Sequence, residues 1–175
     1  MIINGVNKLE IEKLSKTYTV RRLVEEDIED IYKMSLSNTL YFKHCPPMVT
    51  KESIVDDMNA LPKSVSIDDK YYIGFYDGCS LIAICDMIMN YPEKVVAFIG
   101  LFMVDAKVSG KGIGTKIIVE MIDHFKKIGY KKIRLAWVKS NEQSEHFWLK
   151  NGFVVIKESD SVALGQRLVV AEKEL

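Results

Sequence analysis

Three glycines fall within five residues in Gly110-Lys111-Gly112-Ile113-Gly114, between an apolar run ending at Val104 and a long amphipathic segment that starts at Ile113. Glycines let the backbone turn sharply and leave N–H groups uncovered. A helix start adds its own orphan donors and partial positive charge, so the arrangement suits a phosphate or pyrophosphate. Residues 106–134 carry eight Lys/Arg against two acids, a bias that favours an anionic ligand. The loop alone is equally a plain strand-to-helix turn with its lysines on a solvated face. Two nucleotide motifs fail outright. A P-loop needs Lys directly after its last glycine, whereas Gly114 is followed by Thr115. The dinucleotide fingerprint needs G-x-G-x-x-G after the first strand of a parallel unit, and Gly110-x-Gly112-x-Gly114 has the wrong spacing.

A second chemical candidate is Asp86, in the middle of the apolar stretch Leu81 to Met89. A desolvated carboxylate has a raised pKa and can accept a proton through water or anchor a cationic substrate. The same residue could instead face solvent or pair with Lys or Arg across a sheet. His124 falls on the apolar stripe Ile117, Met121, Ile128 and reads as a packed or rim residue, and His146 sits mid-helix with no visible partner.

Composition sets the frame for these residues. The chain has 175 residues with 24 Lys+Arg and 24 Asp+Glu, so its formal net charge is zero. That balance argues against bulk nucleic-acid binding, which needs a cationic surplus. Hydrophobic residues are 48% and charged residues 27%, the profile of one globular domain, read here as residues 17–175 behind an N-terminal extension over 1–16. Cys45, Cys79 and Cys85 form no C-x-x-C pair, which reads as reduced thiols in a cytoplasmic protein without a metal site. Met1 to Lys8 has no leader pattern. The longest apolar run, Val95 to Val104, is half the length a membrane helix needs. No membrane or nucleic-acid partner is expected, and a homodimer stays open.

The elements that must position the candidates follow from periodicity. Tyr18 to Leu23 alternates as a first strand, and Glu25-Glu26-Asp27 opens a helix as a solvated acidic start. Pro46-Pro47 breaks the chain before a second helix capped at Thr50-x-x-Ser53. Tyr71 to Tyr76 and Leu81 to Met89 read as a hairpin across Asp77-Gly78. Val95 to Val104 is a strand apolar enough to be buried on both faces. Ile113, Ile117, Met121, Phe125 and Ile128 have helical spacing, closed by Gly129. Ile133, Leu135 and Trp137 alternate as a strand, Ser140-x-x-Gln143 is a capping box for a helix ending at Asn151-Gly152, and two strands finish the chain. This order predicts an α/β (α+β) fold: a mixed, mostly antiparallel sheet of about six or seven strands with helices on its faces.

The segment Asn141-Glu142-Gln143-Ser144-Glu145-His146-Phe147-Trp148-Leu149-Lys150-Asn151-Gly152-Phe153, taken with the glycine loop, resembles the GNAT superfamily of acyl-CoA-dependent N-acetyltransferases. Its signature is [QR]-x-x-G-x-[GA], then N-x-x-A-x-x-x-Y-x-K-x-G-F, and both occur here in that order. The resemblance implies two central parallel strands that splay apart to admit acetyl-CoA. It implies that the backbone of Phe102, Met103 and Val104 pairs with the pantetheine arm. By the same resemblance, the loop Ser109-Gly110-Lys111-Gly112-Ile113-Gly114-Thr115 holds the pyrophosphate through the amides of Gly110 to Thr115, and Asn141 hydrogen-bonds the pantetheine. Asn141 is also a plausible helix N-cap.

Three departures matter. Ser109 replaces the Gln/Arg of the loop, Ser144 replaces the small Ala, and Trp148 replaces a Tyr whose phenol in many relatives protonates the departing thiolate. An indole N–H donates but cannot act as an acid near neutral pH, so Trp148 is a cofactor contact only. Ala136 stands where some relatives carry a catalytic Glu, which leaves Asp86 as the substitute base. A backbone N–H near Met103 would meet the developing oxyanion. Tyr41 and His44, in Tyr41-Phe42-Lys43-His44-Cys45, occupy the region that shapes the acceptor pocket in the family, and Cys45 as a nucleophile would need an atypical double displacement. The implied activity is transfer of an acetyl group from acetyl-CoA to a small or peptide amine. The alternative is a coenzyme A-binding module with weak or no turnover. Acylation of protein or ribosomal N-termini would call for an open acidic acceptor groove.

Overall fold

Antiparallel pairing dominates the sheet, and a single parallel pair interrupts it. A computed structural model describes residues 2–3, 6–7, 9–161 and 165–175. Of the extension expected over 1–16, residues 1, 4, 5 and 8 lie outside those described. The strands of the main sheet are β1 (Thr19–Arg22), β2 (Lys70–Asp77), β3 (Ser80–Met89), β4 (Val96–Val104), β5 (Lys132–Val138), β6 (Val154–Ser161) and β7 (Gln166–Glu174). Their order is β1-β2-β3-β4-β5-β7-β6, so the last strand inserts between β5 and β6. Among the described residues only β4 and β5 run parallel, joined by the crossover helix α4 (Ile113–Ile128) that parallel neighbours require.

Each face has its own core. One face carries Phe75, Cys85, Met87, Ile99, Leu135 and Trp137 against Ile117, Met121 and Phe125 of α4. The opposite face carries Tyr72, Ile84 and Met103 beneath α1 (Ile28–Ser37) and α3 (Lys51–Asn59). Leu9, Ile11 and Leu14 are buried in the α4-side core, so residues 9–14 pack with the rest. Ser15 and Thr17 hydroxyls and the Lys16 amide fasten that segment to the Glu120 carboxylate on α4.

Three sequence expectations change. Asp27 is not solvated: it is buried and takes two hydrogen bonds from Arg21, at 2.7 and 2.6 Å, which pull its pKa below the usual carboxylate range. The acids Glu25–Asp27 form a 3₁₀ turn ahead of α1, and Asp27 also accepts the Val24 amide. An extra short helix, α2 (Thr39–His44), follows α1; six residues do not suffice for a periodic signal. The strand β4 is not buried throughout: Val96, Ala97, Ile99 and Met103 are buried, whereas Gly100 is exposed and Leu101, Phe102 and Val104 are half-buried. The cause lies in the pairing of β4 and β5.

Candidate active site

The parallel ladder between β4 and β5 runs from Val96↔Lys132 to Ile99↔Leu135 and stops. Beyond it β4 keeps pairing with β3 as far as Val104↔Ala83, and β5 keeps pairing with β7 as far as Val138↔Leu168. The two strands therefore diverge, leaving a cleft of about 250 Å³ through the middle of the sheet. Past Ile99, one backbone edge of β4 has no strand beside it among the described residues. The register of β3 and β4 slips between Asp86 and Met87, so Asp86 faces Leu101 while Met87 faces Ile99, and Gly100 is the extra residue of a β-bulge. A bulge shifts the alternation of all that follows. Leu101 and Met103 consequently turn to the α1/α3 face, and Phe102 and Val104 to the α4 face. Phe102 there stacks on Phe147 with centroids 5.9 Å apart, and lies at the same distance from Trp148.

The glycine loop leaves the end of β4 and enters α4. Gly110 and Gly112 have φ of +76° and +80°, the left-handed region that glycine reaches without strain, and a Cβ at either would meet nothing within 4 Å. Gly114 differs: a Cβ there would lie 3.2 Å from Phe147 and 3.3 Å from Val104, so it is small to let α4 approach β4 and α5 (Glu142–Lys150). The first α4 amide with a helical acceptor is that of Lys116, which donates to Gly112 O at 3.0 Å. The six amides from Gly110 through Thr115 have no acceptor among the described residues. Open space above left-handed glycines and a run of free donors at a helix start fit a diphosphate.

The far wall of the cleft comes from β5 and α5. Asn141 is 4% exposed and caps α5: its Oδ1 accepts the Ser144 amide at 3.0 Å. The expected capping box from Ser140 does not form. Asn141 holds the non-helical cap conformation, and the Ser140 hydroxyl lies 3.2 Å from His44 Nδ1 instead. The cap uses only the carbonyl oxygen of Asn141, so its Nδ2 remains free to donate. Trp148 is 6% exposed, packed among Phe102, Phe147 and Phe153, and lines the cleft.

The segment from α1 to α2 straps the opposite side of the cleft. The Ser37 hydroxyl, which shares its proton between Met34 O (2.7 Å) and Asp105 Oδ1 (3.1 Å), reaches the residue just past β4, and His44 contacts Ser140 just past β5, so both walls meet one strap. Tyr41 and Cys45 face the cleft from it, and burial raises the pKa of both. Behind Gly100 stands Asp86, whose Oδ2 is 3.1 Å from where a Gly100 Cβ would be. Burial raises its pKa, and an ion pair with Lys70 opposes that. Asp86 is thus both desolvated and paired with a lysine across the sheet.

The structure thus gathers Phe102, Asn141, Trp148 and Tyr41 around one cleft, with Met103 and Val104 on its rim strand and the Ser109–Thr115 loop at its end. His44 reaches it only through the strap. Sequence reasoning passed over the roles of Gly100 and Leu168. A glycine interrupting an apolar strand is itself a signal for a bulge, so Gly100 was findable. Leu168 had none, because β7 reaches the cleft only through the strand order.

A mixed seven-stranded sheet with one splayed parallel pair and a glycine loop leading into the crossover helix is the arrangement that the resemblance to acyl-CoA-dependent acyltransferases implies. The model of the acetyltransferase (GNAT) family matches residues 30–153, and the chain belongs to that family, whose enzymes use acetyl-CoA. It is 28% identical over 160 residues to an uncharacterized N-acetyltransferase of Methanocaldococcus jannaschii, covering 83% of this chain and 64% of that protein's length. An acetyltransferase from Thermus thermophilus superposes with a TM-score of 0.76 at 18% identity, over 91% of this chain and 97% of that one. The PaiA N-acetyltransferase of Thermoplasma acidophilum, in complex with coenzyme A, gives 0.63 at 20% identity, over 90% and 99%. The spermidine N-acetyltransferase of Vibrio cholerae, in complex with CoA and spermine, gives 0.68 at 18% identity, over 91% and 96%. At these identities the structural likenesses speak for the fold. No helix among the described residues is long and apolar enough to cross a membrane.

Proposed function

We propose that the chain transfers an acetyl group from acetyl-CoA to a primary amine by direct attack in a ternary complex, with a small amine or a peptide amine as acceptor. The observation that carries this reading is the end of the β4–β5 ladder at Ile99↔Leu135, beside six amides without acceptors. Bound acetyl-CoA supplies a thioester carbonyl and a thiol leaving group. The open edge of Phe102, Met103 and Val104 takes the pantetheine arm as an added strand. The amides of Gly110 to Thr115 take the pyrophosphate, with Ser109 and Lys111 flanking them. Asn141 Nδ2 donates to a pantetheine carbonyl, and Trp148 packs against the arm. A backbone N–H near Met103 donates to the carbonyl oxygen as charge develops there.

The acceptor enters from the strap side, past Tyr41 and His44, and must be neutral to attack. Asp86 accepts its proton, directly or through one water. The thiolate needs no strong acid to leave, given a thiol pKa of about 8.5 for cysteine. The free thiols of Cys45, Cys79 and Cys85 support a cytoplasmic setting.

A thermal-shift titration with acetyl-CoA, with ATP and NAD as controls, tests the donor site. Saturation to 100 times Kd adds about 2.7 kcal/mol. At roughly 2–4 °C per kcal/mol for this length, Tm rises by about 5–11 °C. No rise, or an equal one with ATP, refutes the reading. A second reading, a coenzyme A-binding module with weak or no turnover, is favoured by Ala136 and Trp148, which put no acid or base on the cleft wall. Thiol release from acetyl-CoA across a panel of small and peptide amines separates the two.

A further inference from the structure

Asp86 is held by a partner that the family signature does not include. In the antiparallel register of β2 and β3, Tyr72 faces Asp86 and Lys70 faces Ile88. Lys70 and Asp86 are thus diagonal neighbours on one face of the sheet, a separation that a long side chain spans. Lys70 Nζ lies 2.9 Å from each carboxylate oxygen. It hydrogen-bonds Oδ2, while the buried Oδ1 has no aligned donor among the described residues.

The lysine is 2% exposed, and its backbone is itself secured, since Lys70 O accepts Arg22 Nη1 at 2.9 Å. An ammonium this deep is seldom found without a task or a counter-ion. Its stem lines a cavity of about 340 Å³ between α1, α3 and the sheet. On the other side, Asp86 Oδ2 abuts the Gly100 bulge that opens the acetyl-CoA cleft.

We propose that Lys70 is a positioning residue that keeps the Asp86 carboxylate ionised and oriented toward the Gly100 bulge, where Oδ2, the oxygen on the cleft side, takes the acceptor's proton. The inference rests on the reading of Asp86 as the base. Without a counter-charge, a carboxylate buried here would hold its proton at neutral pH and could not receive another. The remaining groups facing Asp86 do not substitute for Lys70. Asp57 of α3 is a second acid and adds repulsion, and Tyr72 of β2 and Cys85 of β3 are neutral groups whose own pKa values Asp86 helps to raise. One cation against two carboxylates also leaves the site with a negative balance that favours an acceptor arriving as an ammonium.

The test follows the carboxyl itself. The protein is labelled with ¹³C at aspartate carboxyls, the Asp86 resonance is assigned by its loss in Asp86→Asn, and the titration is followed by NMR. In the wild type the carboxyl is expected to be ionised at pH 7; a protonated carboxyl there overturns the proposal without any variant. In Lys70→Met and Lys70→Gln, proton affinity at Asp86 should rise about tenfold or more, the lower end of what an opposite charge at this distance does. Lys70→Arg should restore it. An unmoved titration in whichever neutral variant folds overturns the proposal.

The acid limb of kcat/KM, measured by thiol release from acetyl-CoA with an amine identified in the panel, should move with the NMR midpoint. A resonance that moves while the limb stays would leave Lys70's hold on Asp86 intact and remove Asp86 as the base. A lysine acting only in packing would change Tm and neither titration.

Discussion

Ile113→Pro removes one N–H from the glycine loop and also crowds Gly112, whose ψ of 0° is one that a residue before proline avoids. Ile113 is the first residue of α4, following Gly112 as N-cap, and its amide has no acceptor among the described residues. Proline is favoured at that position because its fixed φ suits a first turn and the missing N–H breaks no helical bond. The side chain is only half-buried, so lost packing is offset in part by the lower entropy of the unfolded chain, worth about 0.4–1 kcal/mol. The strain at Gly112 should lower stability, so affinities are compared at a temperature where the variant is fully folded. If the six free amides hold the pyrophosphate, the variant loses one hydrogen bond to a charged group, about 1.5–3 kcal/mol. Kd for acetyl-CoA then weakens roughly 10- to 150-fold. Isothermal titration calorimetry with acetyl-CoA and with S-acetylpantetheine, which has no pyrophosphate, makes the comparison internal. Affinity should fall for the first ligand and stay level for the second. Unchanged acetyl-CoA affinity in a folded Ile113→Pro protein would refute the assignment of this loop.

Asn141→Ala removes the α5 cap and should lower stability by about 1 kcal/mol in a denaturant titration. Asn141→Asp should keep that stability, since a carboxylate also caps, but weaken acetyl-CoA binding in calorimetry because it offers no donor. Trp148→Ala empties the centre of an aromatic cluster and should cost about 3–5 kcal/mol, a loss that Trp148→Phe largely avoids in the same titration. The Arg21 ion pair holds Asp27 below its usual pKa in the folded state, so the pair's contribution is present above the unfolded value and lost as pH falls through the folded one. Asp27→Asn should therefore be less stable than wild type at pH 7, and the gap should close below about pH 4 when unfolding is followed against pH. A constant gap across that range would contradict the ion-pair account.

Much of the site was legible because its devices are local. The turns at Gly110 and Gly112 demand a left-handed backbone, and the stripe from Ile113 to Ile128 allows only a helix. The N-x-x-S-x-x-x-W-x-K-x-G-F segment carries its meaning within thirteen residues. Asp86 was marked by a charge in an apolar run. Its partner was not, since Lys70 lies sixteen residues away and only the hairpin register makes them diagonal neighbours. Asp27 shows the same dependence: an acid at a helix start looks solvated until Arg21 folds over it.

The sequence by itself determined the longer helices, most of the strands, the glycine turns and the family, because each depends on periodicity or turn chemistry within a few residues. Tertiary structure alone decided where the β4–β5 ladder ends, how the Gly100 bulge re-aims Phe102 toward Trp148, and that β7 brings Leu168 to the cleft. It also decided that a strap from α1 to α2 meets both walls. Those features are set by which strands meet and in what register. That choice is made by burying both faces of the sheet at once, a free energy summed over the whole chain and written in no single segment of it.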